Sequence, residues 1–372
     1  MKELSSNITI VGGGLVGAIA GLSMSKLGMS VTIIEKNNSF RKINNYLDER
    51  TIAISEGTKN FLSKIGCWND VEKYTQPIKE IRIIDRNFTN RLDFDNLRRN
   101  SYLGYILKNK ILIKKLYDKI SKSKRIKVLN NQQILRINNS INDIFCLTND
   151  YKITSKLVVA ADGKNSTVRS LIKTNIYKKN YKKKAIVINF VHSKKHKGVA
   201  YEFFNQFGPL AILPMRTEKK ENCSSLVWTN KSSYLEKLFK QSDKNIIDIL
   251  SAEIGLVVGN IKEIKSKNLF PLSAHINTKF YDNKLIYVGD SAHSIHPIAG
   301  QGWNLGIRDV KSLFNLSKKY SDLGIGVGSI DFCKEYQQKT YFDAYTLYQV
   351  TDKLDNIFLR TNKSVSLFRA FG

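Results

Sequence analysis

The sequence predicts an α/β fold. A parallel-stranded unit is interleaved with a mainly antiparallel β-sheet unit, and a helical C-terminal tail follows. Three observations carry this. A strand–glycine turn–helix–strand pattern opens the chain at residues 7–35. Two further buried strands, at 156–163 and 284–289, each run into a turn and a helix, far along the chain from the first. Between them, from about 180 to 230, short apolar stretches follow one another: AIVINFV, AYEFF, LAILPM and SSLVW. Parallel-sheet pieces at both ends and in the middle of one chain mean that the units are not arranged serially.

Residues 7–11 read as a short buried strand, 15–27 as a helix with small and apolar faces, and Gly28 sits where a helix C-cap falls. Residues 30–34 form the second strand, ending at Glu35, and complete a βαβ opening. The polar segment 36–50 reads as loop and 55–65 as helix, while 81–85 and 92–94 alternate as strands do. Ile111, Leu112, Leu116 and Ile120 recur at helical spacing within 109–121. Helical signals return near 243–253, at about 303–318, and from 331 onward. The expected division is therefore 1–75, 100–175 and 268–330 for a discontinuous nucleotide-binding domain. Residues 76–99 and 176–267 form the second domain, and 331–372 the helical C-terminal segment.

Composition narrows the class. Of 372 residues 42% are hydrophobic and 25% charged, which excludes a disordered chain. The net charge is +28, but the lysines are scattered over separate segments (Lys178–Lys184, Lys194–Lys197, Lys262–Lys267) in a chain rich in Lys, Asn and Ile throughout. Compositional drift explains that pattern, with attraction to acidic lipid as its functional alternative. Zinc-finger spacing, an RNP signature and a bZIP basic region are all missing, so nucleic acid is not an expected partner. Cys67, Cys146, Cys223 and Cys333 form no CxxC and read as buried thiols in a reducing compartment. The apolar N-terminal stretch is broken by glycines and by Lys26, unlike a signal peptide, and no other stretch has spanning length. His192 and His196 have ligand-like spacing, but no carboxylate pair accompanies them, so no metal is expected.

Gly12-Gly13-Gly14-Leu15-Val16-Gly17 is a G-x-G-x-x-G between a strand and a helix. Gly12 permits the tight turn, Gly14 lets backbone approach a pyrophosphate, and Gly17 allows close helix–strand packing. Leu15 and Val16 open the helix whose free N–H groups and dipole face the phosphates. Glu35, 18 residues after Gly17, is placed to accept hydrogen bonds from a ribose. This is a Rossmann-like unit, and the motif alone leaves FAD and NAD open. Two more motifs follow. Residues 158–169 end a strand at Asp162-Gly163 and start a helix near Ser166 and Arg169. Residues 287–309 contain Gly289-Asp290, His293, His296, Pro297 and Gly300-Gln301-Gly302-Trp303-Asn304. An aspartate at a strand end suits a sugar-alcohol hydroxyl, and glycines let a flat ring approach the backbone. For the two histidines, local hydrogen bonding fits better than acid–base work.

Together these three segments resemble the class A FAD-dependent aromatic hydroxylases, with the fold of para-hydroxybenzoate hydroxylase. HPIAGQGWNLGIRDV is similar to the ubiquinone-biosynthesis branch of that family, as are FGPLAILPM (207–215) and LGYILKNKIL (103–112). The resemblance spans residue 7 to the end of the chain. It implies FAD on Gly12, Gly14, Leu15, Val16 and Gly17, with Glu35 at the adenosine ribose and Arg50 near the phosphates. Asn109 is a further FAD contact, Asp162 and Gly163 serve both FAD and the nicotinamide donor, and Gly289 and Asp290 hold the ribityl chain. Pro297, Gly300, Gln301, Gly302 and Asn304 line the flavin ring where the chemistry occurs. Lys110 departs from the arginine that many relatives carry.

The resemblance also implies a reaction. NAD(P)H, bound transiently, reduces the flavin, and a flavin C4a-hydroperoxide passes oxygen from O2 to a polyprenylated phenol on the route to ubiquinone. The partners implied are that substrate, O2, and an anionic membrane surface or a ubiquinone-biosynthesis complex. The implied location is cytoplasmic, peripheral on the inner membrane. Three other readings stand beside it: an FAD hydroxylase of a soluble aromatic acid, a flavin-binding scaffold subunit, and a basic nucleic-acid binder. A pocket behind AILPM separates the first two enzymes. A long apolar tunnel suits the prenylated substrate, and a small pocket with an arginine suits the acid.

Overall fold

The computed structural model describes residues 1–38, 49–85, 91–95, 101–205, 208–217, 221–296 and 300–359. A parallel sheet forms because its strands are apolar on both faces. In β1 (Lys2–Val11) residues 8–11 are all buried, as are 31–34 of β2 (Val31–Glu35). β1 lies between β2 and the strand Tyr151–Ala160, parallel to both. Leu285–Tyr287 extends the sheet in parallel on one side, and Ile126–Asn130 on the other. β1 starts earlier than the expected residue 7, because residues 2–6 pair with 151–155. Helix α1 (Leu15–Lys26) packs on this sheet through small residues: a Cβ at Gly21 would stand 2.9 Å from Ile33 Cδ1. It is buried nearly all round, covered by the helices Asn109–Ile120 and Gln301–Asp322.

The second sheet has eight strands and is antiparallel except where Val199–Asn205 runs parallel to Glu80–Asp85. Its two longest strands, Ile176–His192 and Ile261–Asn277, pair along most of their length. The expected boundary between residues 267 and 268 falls inside the second of these. One face of the sheet buries Ile186, Ile188, Phe190, Leu210, Ile212, Leu226 and Trp228 under the helices Ser232–Phe239 and Asp243–Val258. The other face turns toward the parallel-sheet unit. A small sheet of Thr51–Ile54, Gly104–Lys108 and Gln76–Ile78 stands between the two. There Ile78 and Ile106 pack with Ala200, Met215 and Cys223. The C-terminal helix Ile330–Leu359 returns to the parallel sheet, where the Tyr336 hydroxyl donates to Tyr287 O at 2.9 Å. All four cysteines are buried and free. Among the described residues no helix is long and apolar enough to cross a membrane.

Candidate functional site

The three motif turns meet in space. Gly12 has φ +105°, and a Cβ there would lie 2.4 Å from Ala161 O and 2.8 Å from Asp162 Cα. A Cβ at Gly17 would lie 2.0 Å from Gly12 O and 3.3 Å from Ala161 Cβ, so the helix can sit this close only as glycine. Gly289 (φ +60°) faces the Val16 methyls at 3.2 and 3.3 Å, and Gly306 of the following helix presses on Gly289 Cα at 3.0 Å. The first turn therefore touches the second at Ala161–Asp162 and the third at Gly289.

What these turns leave open fits a dinucleotide. Gly14 has nothing within 4 Å of its Cβ position. It is the N-cap of α1, no side chain caps that end, and the first turn holds no acidic residue. Unpaired N–H groups and the positive end of the helix dipole thus face free space. Gly163 (φ +81°) is likewise open. The Asp162 carboxylate accepts from Val168 N at 3.0 Å, while its Oδ1 is buried without a partner among the described residues. A buried acceptor in that state calls for a donor from a ligand. Asp290 is reachable by solvent yet ringed by protein, as on the floor of a cleft. Burial pushes its carboxyl up, against the pull of His293, Lys164 and Arg50.

Supporting residues hold the turns in place. Glu35 accepts from Gly13 N at 2.8 Å and from both nitrogens of Asn37, leaving capacity for a further donor. Tyr117 donates to Gly13 O at 2.7 Å from the Asn109–Ile120 helix. The Arg169 guanidinium joins two turns: it donates to Ser291 O at 3.1 Å and to Lys164 O at 2.6 Å. It also sits 3.0 Å from His275 Nε2. Burial, reinforced by Arg169, pushes the His275 imidazole down to about 3, so it stays neutral beside that cation. Behind the third turn, buried Asp309 accepts from Gly289 N at 2.8 Å and pairs with His293 Nε2 at 2.7 Å. Burial pulls the His293 imidazole down, but the Asp309 carboxylate outweighs it and holds it above its ordinary value. His293 thus has a local structural partner, as its sequence context suggested.

Other expected residues occupy different places. The Arg50 guanidinium lies over the Phe270 ring at 4.9 Å, where the start of the small sheet meets the strand Ile261–Asn277 of the antiparallel sheet. Its carbonyl accepts from Asn109 N at 2.9 Å, and Asn109 itself is buried. Glu49 anchors this corner: Lys108 and Lys110 pair with its carboxylate, and Asn189 Nδ2 donates to its carbonyl at 2.7 Å. Lys110 therefore serves Glu49. Burial raises the Glu49 carboxyl, yet the two lysines outweigh that and lower it. Gly300 (φ +62°) caps the Gln301–Asp322 helix against Ala53, at 3.3 Å from its Cβ position. Gln301 is half-buried, and Gly302 meets only Ile295 at 3.7 Å. The Asn304 amide is committed to protein: it accepts from Ser55 N at 3.0 Å and donates to Ala53 O at 2.8 Å. It locks the strand Thr51–Ile54 onto the helix. Pro297 lies outside the described residues. His192 Nε2 is 3.0 Å from Ser224 Oγ, and His196 Nδ1 accepts from Gly198 N.

Glu49, Tyr117, Asp309 and Lys164 were missed from sequence. Their contacts span gaps such as the 104 residues between Gly13 and Tyr117, which no local pattern records.

Comparison with known proteins agrees with this geometry. The FAD-binding-domain family model matches residues 5–340. The ubiquinone hydroxylase UbiL of Rhodospirillum rubrum is 29% identical over 99% of this chain and 85% of its own length. The 3-demethoxyubiquinol 3-hydroxylase of Escherichia coli is 26% identical over 93% of this chain and 88% of its own. The crystal structure of PqsL, a probable FAD-dependent monooxygenase from Pseudomonas aeruginosa, shares the fold. Its TM-score is 0.80 at 18% identity, over 95% of this chain and 97% of that one. Strand pairing, glycine contacts and family match converge on one conclusion: this chain belongs to the FAD-binding-domain family.

Proposed function

We propose that the chain is an FAD-dependent monooxygenase that hydroxylates the ring of a polyprenylated phenol in ubiquinone biosynthesis, using NAD(P)H and O2. The observation that carries this is the contact of three distant turns, Gly12–Gly17, Ala161–Gly163 and Gly289–Asp290, around open backbone and a buried, unsatisfied Asp162 oxygen. The two sequence relatives, a ubiquinone hydroxylase and a 3-demethoxyubiquinol 3-hydroxylase, support the substrate class. Bound FAD would supply the redox chemistry, with NAD(P)H as reductant and O2 as the oxygen source, for hydroxylation of an electron-rich ring.

The chain's own residues bind and orient. Gly14 and the first turn of α1, with Leu15 and Val16, take the pyrophosphate, and Glu35 takes the adenosine ribose. Asp162 and Asp290 accept from cofactor hydroxyls, and Arg50 balances phosphate charge from the cleft. Gly300, Gln301 and Gly302 present backbone to the ring, with Asn304 fixing that turn against Ala53 and Ser55. The two sheets, joined through the small sheet, would flank the reacting centre and limit its access to water.

The antiparallel sheet favours the prenylated phenol over an aromatic acid. In the cross-strand row through Ala211, Ile83, Val227 and Val187 are apolar and Glu202 is the charged member, so the row itself offers no cation to pair a carboxylate. A bilayer-dwelling substrate also gives the +28 charge a use on anionic lipid, as a peripheral protein on the cytoplasmic face. Phe342 and Tyr345 stand exposed on the C-terminal helix and would enter the interface. Expression in strains blocked at each ring-hydroxylation step tests the function: one strain should regain ubiquinone, and rescue of none would refute it. Vesicle flotation tests the membrane contact, which requires binding that rises with anionic lipid.

A further inference from the structure

The antiparallel sheet carries one carboxyl that the reading above does not use. Cross-strand register sets Ile83, Glu202, Ala211, Val227, Val187 and Asn268 in a single row over six strands. All six are half-buried, whereas Leu210, Ile212, Leu226 and Ile188 on the opposite face are sealed under helices. Tyr201 and Phe203 pack into that helix-covered face, so Glu202 between them points to the other side, toward the cleft. The next row begins the contact with the parallel-sheet unit. There Ala200 and Leu213 pack in one cluster with Ala53, and Ala53 is the residue that Gly300 touches. The proposed flavin-ring turn is thus linked to Glu202 through Ala53, the cluster that holds Ala200, and two residues of strand from Ala200 to Glu202.

We infer that Glu202 is a specificity-determining residue of the ring-hydroxylation site, offering its carboxyl to the phenolic hydroxyl of a substrate that bears no carboxylate. The inference rests on the hydroxylase reading and names what the apolar floor recognises. Burial pushes the Glu202 carboxyl up to about 7. Near neutral pH it is therefore shared between acid and carboxylate. Either form hydrogen-bonds a phenol, as donor and acceptor or as acceptor only. A substrate carboxylate beside it would add a second anion to a desolvated floor, which is strongly disfavoured. The rest of the row offers hydrocarbon and the Asn268 amide, so the hydroxyl has one strong partner and the remaining ring surface has apolar contact.

The test uses the full-length, FAD-loaded chain as wild type, Glu202→Gln and Glu202→Leu. Three probes are titrated against the flavin absorbance spectrum: a short-chain 2-prenylphenol, its methyl ether, and 4-hydroxybenzoate. Wild type should bind the phenol at least about tenfold more tightly than the ether, the equivalent of one good hydrogen bond. Glu202→Leu should erase that ratio by losing phenol affinity while ether affinity holds. Glu202→Gln should keep the ratio within about threefold and bind 4-hydroxybenzoate more tightly than wild type does. Hydroxylated product from the prenylphenol is measured in the same samples. If wild type makes product and Glu202→Leu keeps the phenol preference, the role of Glu202 is refuted and the hydroxylase reading stands. If wild type neither binds nor hydroxylates the prenylphenol, the hydroxylase reading fails and this inference falls with it.

Discussion

The two walls of the cleft are built by opposite means. On the parallel-sheet side, contact is so close that a single added Cβ at Gly12 or Gly17 would lie 2.0–2.4 Å from backbone oxygen. On the antiparallel side, a six-residue row is half-buried and mostly apolar, with one carboxyl and one amide in it. The first wall suits a ligand of fixed shape, since main chain must come within hydrogen-bond reach of phosphate. The second suits ligands that differ in tail and share a ring, since hydrocarbon contact carries little directional demand. Fixed cofactor recognition and adaptable substrate recognition are thus assigned to different sheets.

The sharpest way to break the comparison is to crowd the tight wall. Gly17→Val should abolish flavin binding or soluble expression, because its side chain would overlap Gly12 O; absorbance of the purified protein near the flavin band checks this. Asp290→Ala, which removes an acceptor without crowding, should weaken FAD binding by about 10- to 100-fold, read by flavin fluorescence titration. Arg169→Met should cost about 2 kcal/mol of stability in denaturant unfolding, because it unties the second turn from Ser291 O.

The loose wall makes a smaller, pH-dependent prediction. The Glu202 carboxyl is raised in the folded chain, so the folded state binds its proton more tightly than the unfolded state. Its contribution is intact below about pH 4.5 and is lost as pH rises to about 7, after which the loss is constant. Glu202→Gln should remove that slope and gain on the order of 1–2 kcal/mol at pH 8, measured as a shift in denaturation midpoint between pH 5 and 8. Smallest of all, Gly302→Ala should leave flavin affinity within about threefold, since its Cβ would meet only Ile295 at 3.7 Å. A large loss there would show that the ring turn is as tightly built as the first.

Legibility in the sequence followed the same division. The β1–α1–β2 opening and the turns at Asp162 and Gly289 were readable because glycine spacing and buried apolar runs are local signals. The strand Ile261–Asn277 was not, because Lys262, Glu263 and Lys265 of IKEIKSKNLF are exposed and break the apolar run, so that it resembles loop. The small sheet of Thr51–Ile54, Gly104–Lys108 and Gln76–Ile78 was also invisible, being assembled from three separated pieces of three to five residues each. The helix Ser232–Phe239 went unseen between a strand and a longer helix. At the site, the Asn304 amide is bonded to Ser55 and Ala53, partners about 250 residues away that no local pattern in the sequence records. Glu202 shows the same limit. The apolar run AYEFF gives no sign of which face Glu202 takes, and only the assembled sheets place it on the side of Ala200, opposite the helix-covered Tyr201 and Phe203.

The measurement that reaches the centre of the account is FAD titration of the full chain beside Gly12→Val and Asp290→Ala, two changes nearly 280 residues apart. The account predicts one FAD per wild-type chain, none on Gly12→Val and a weakened site on Asp290→Ala, because both residues border one groove. A colourless wild type that takes up no FAD, or either variant binding as the wild type does, would contradict it.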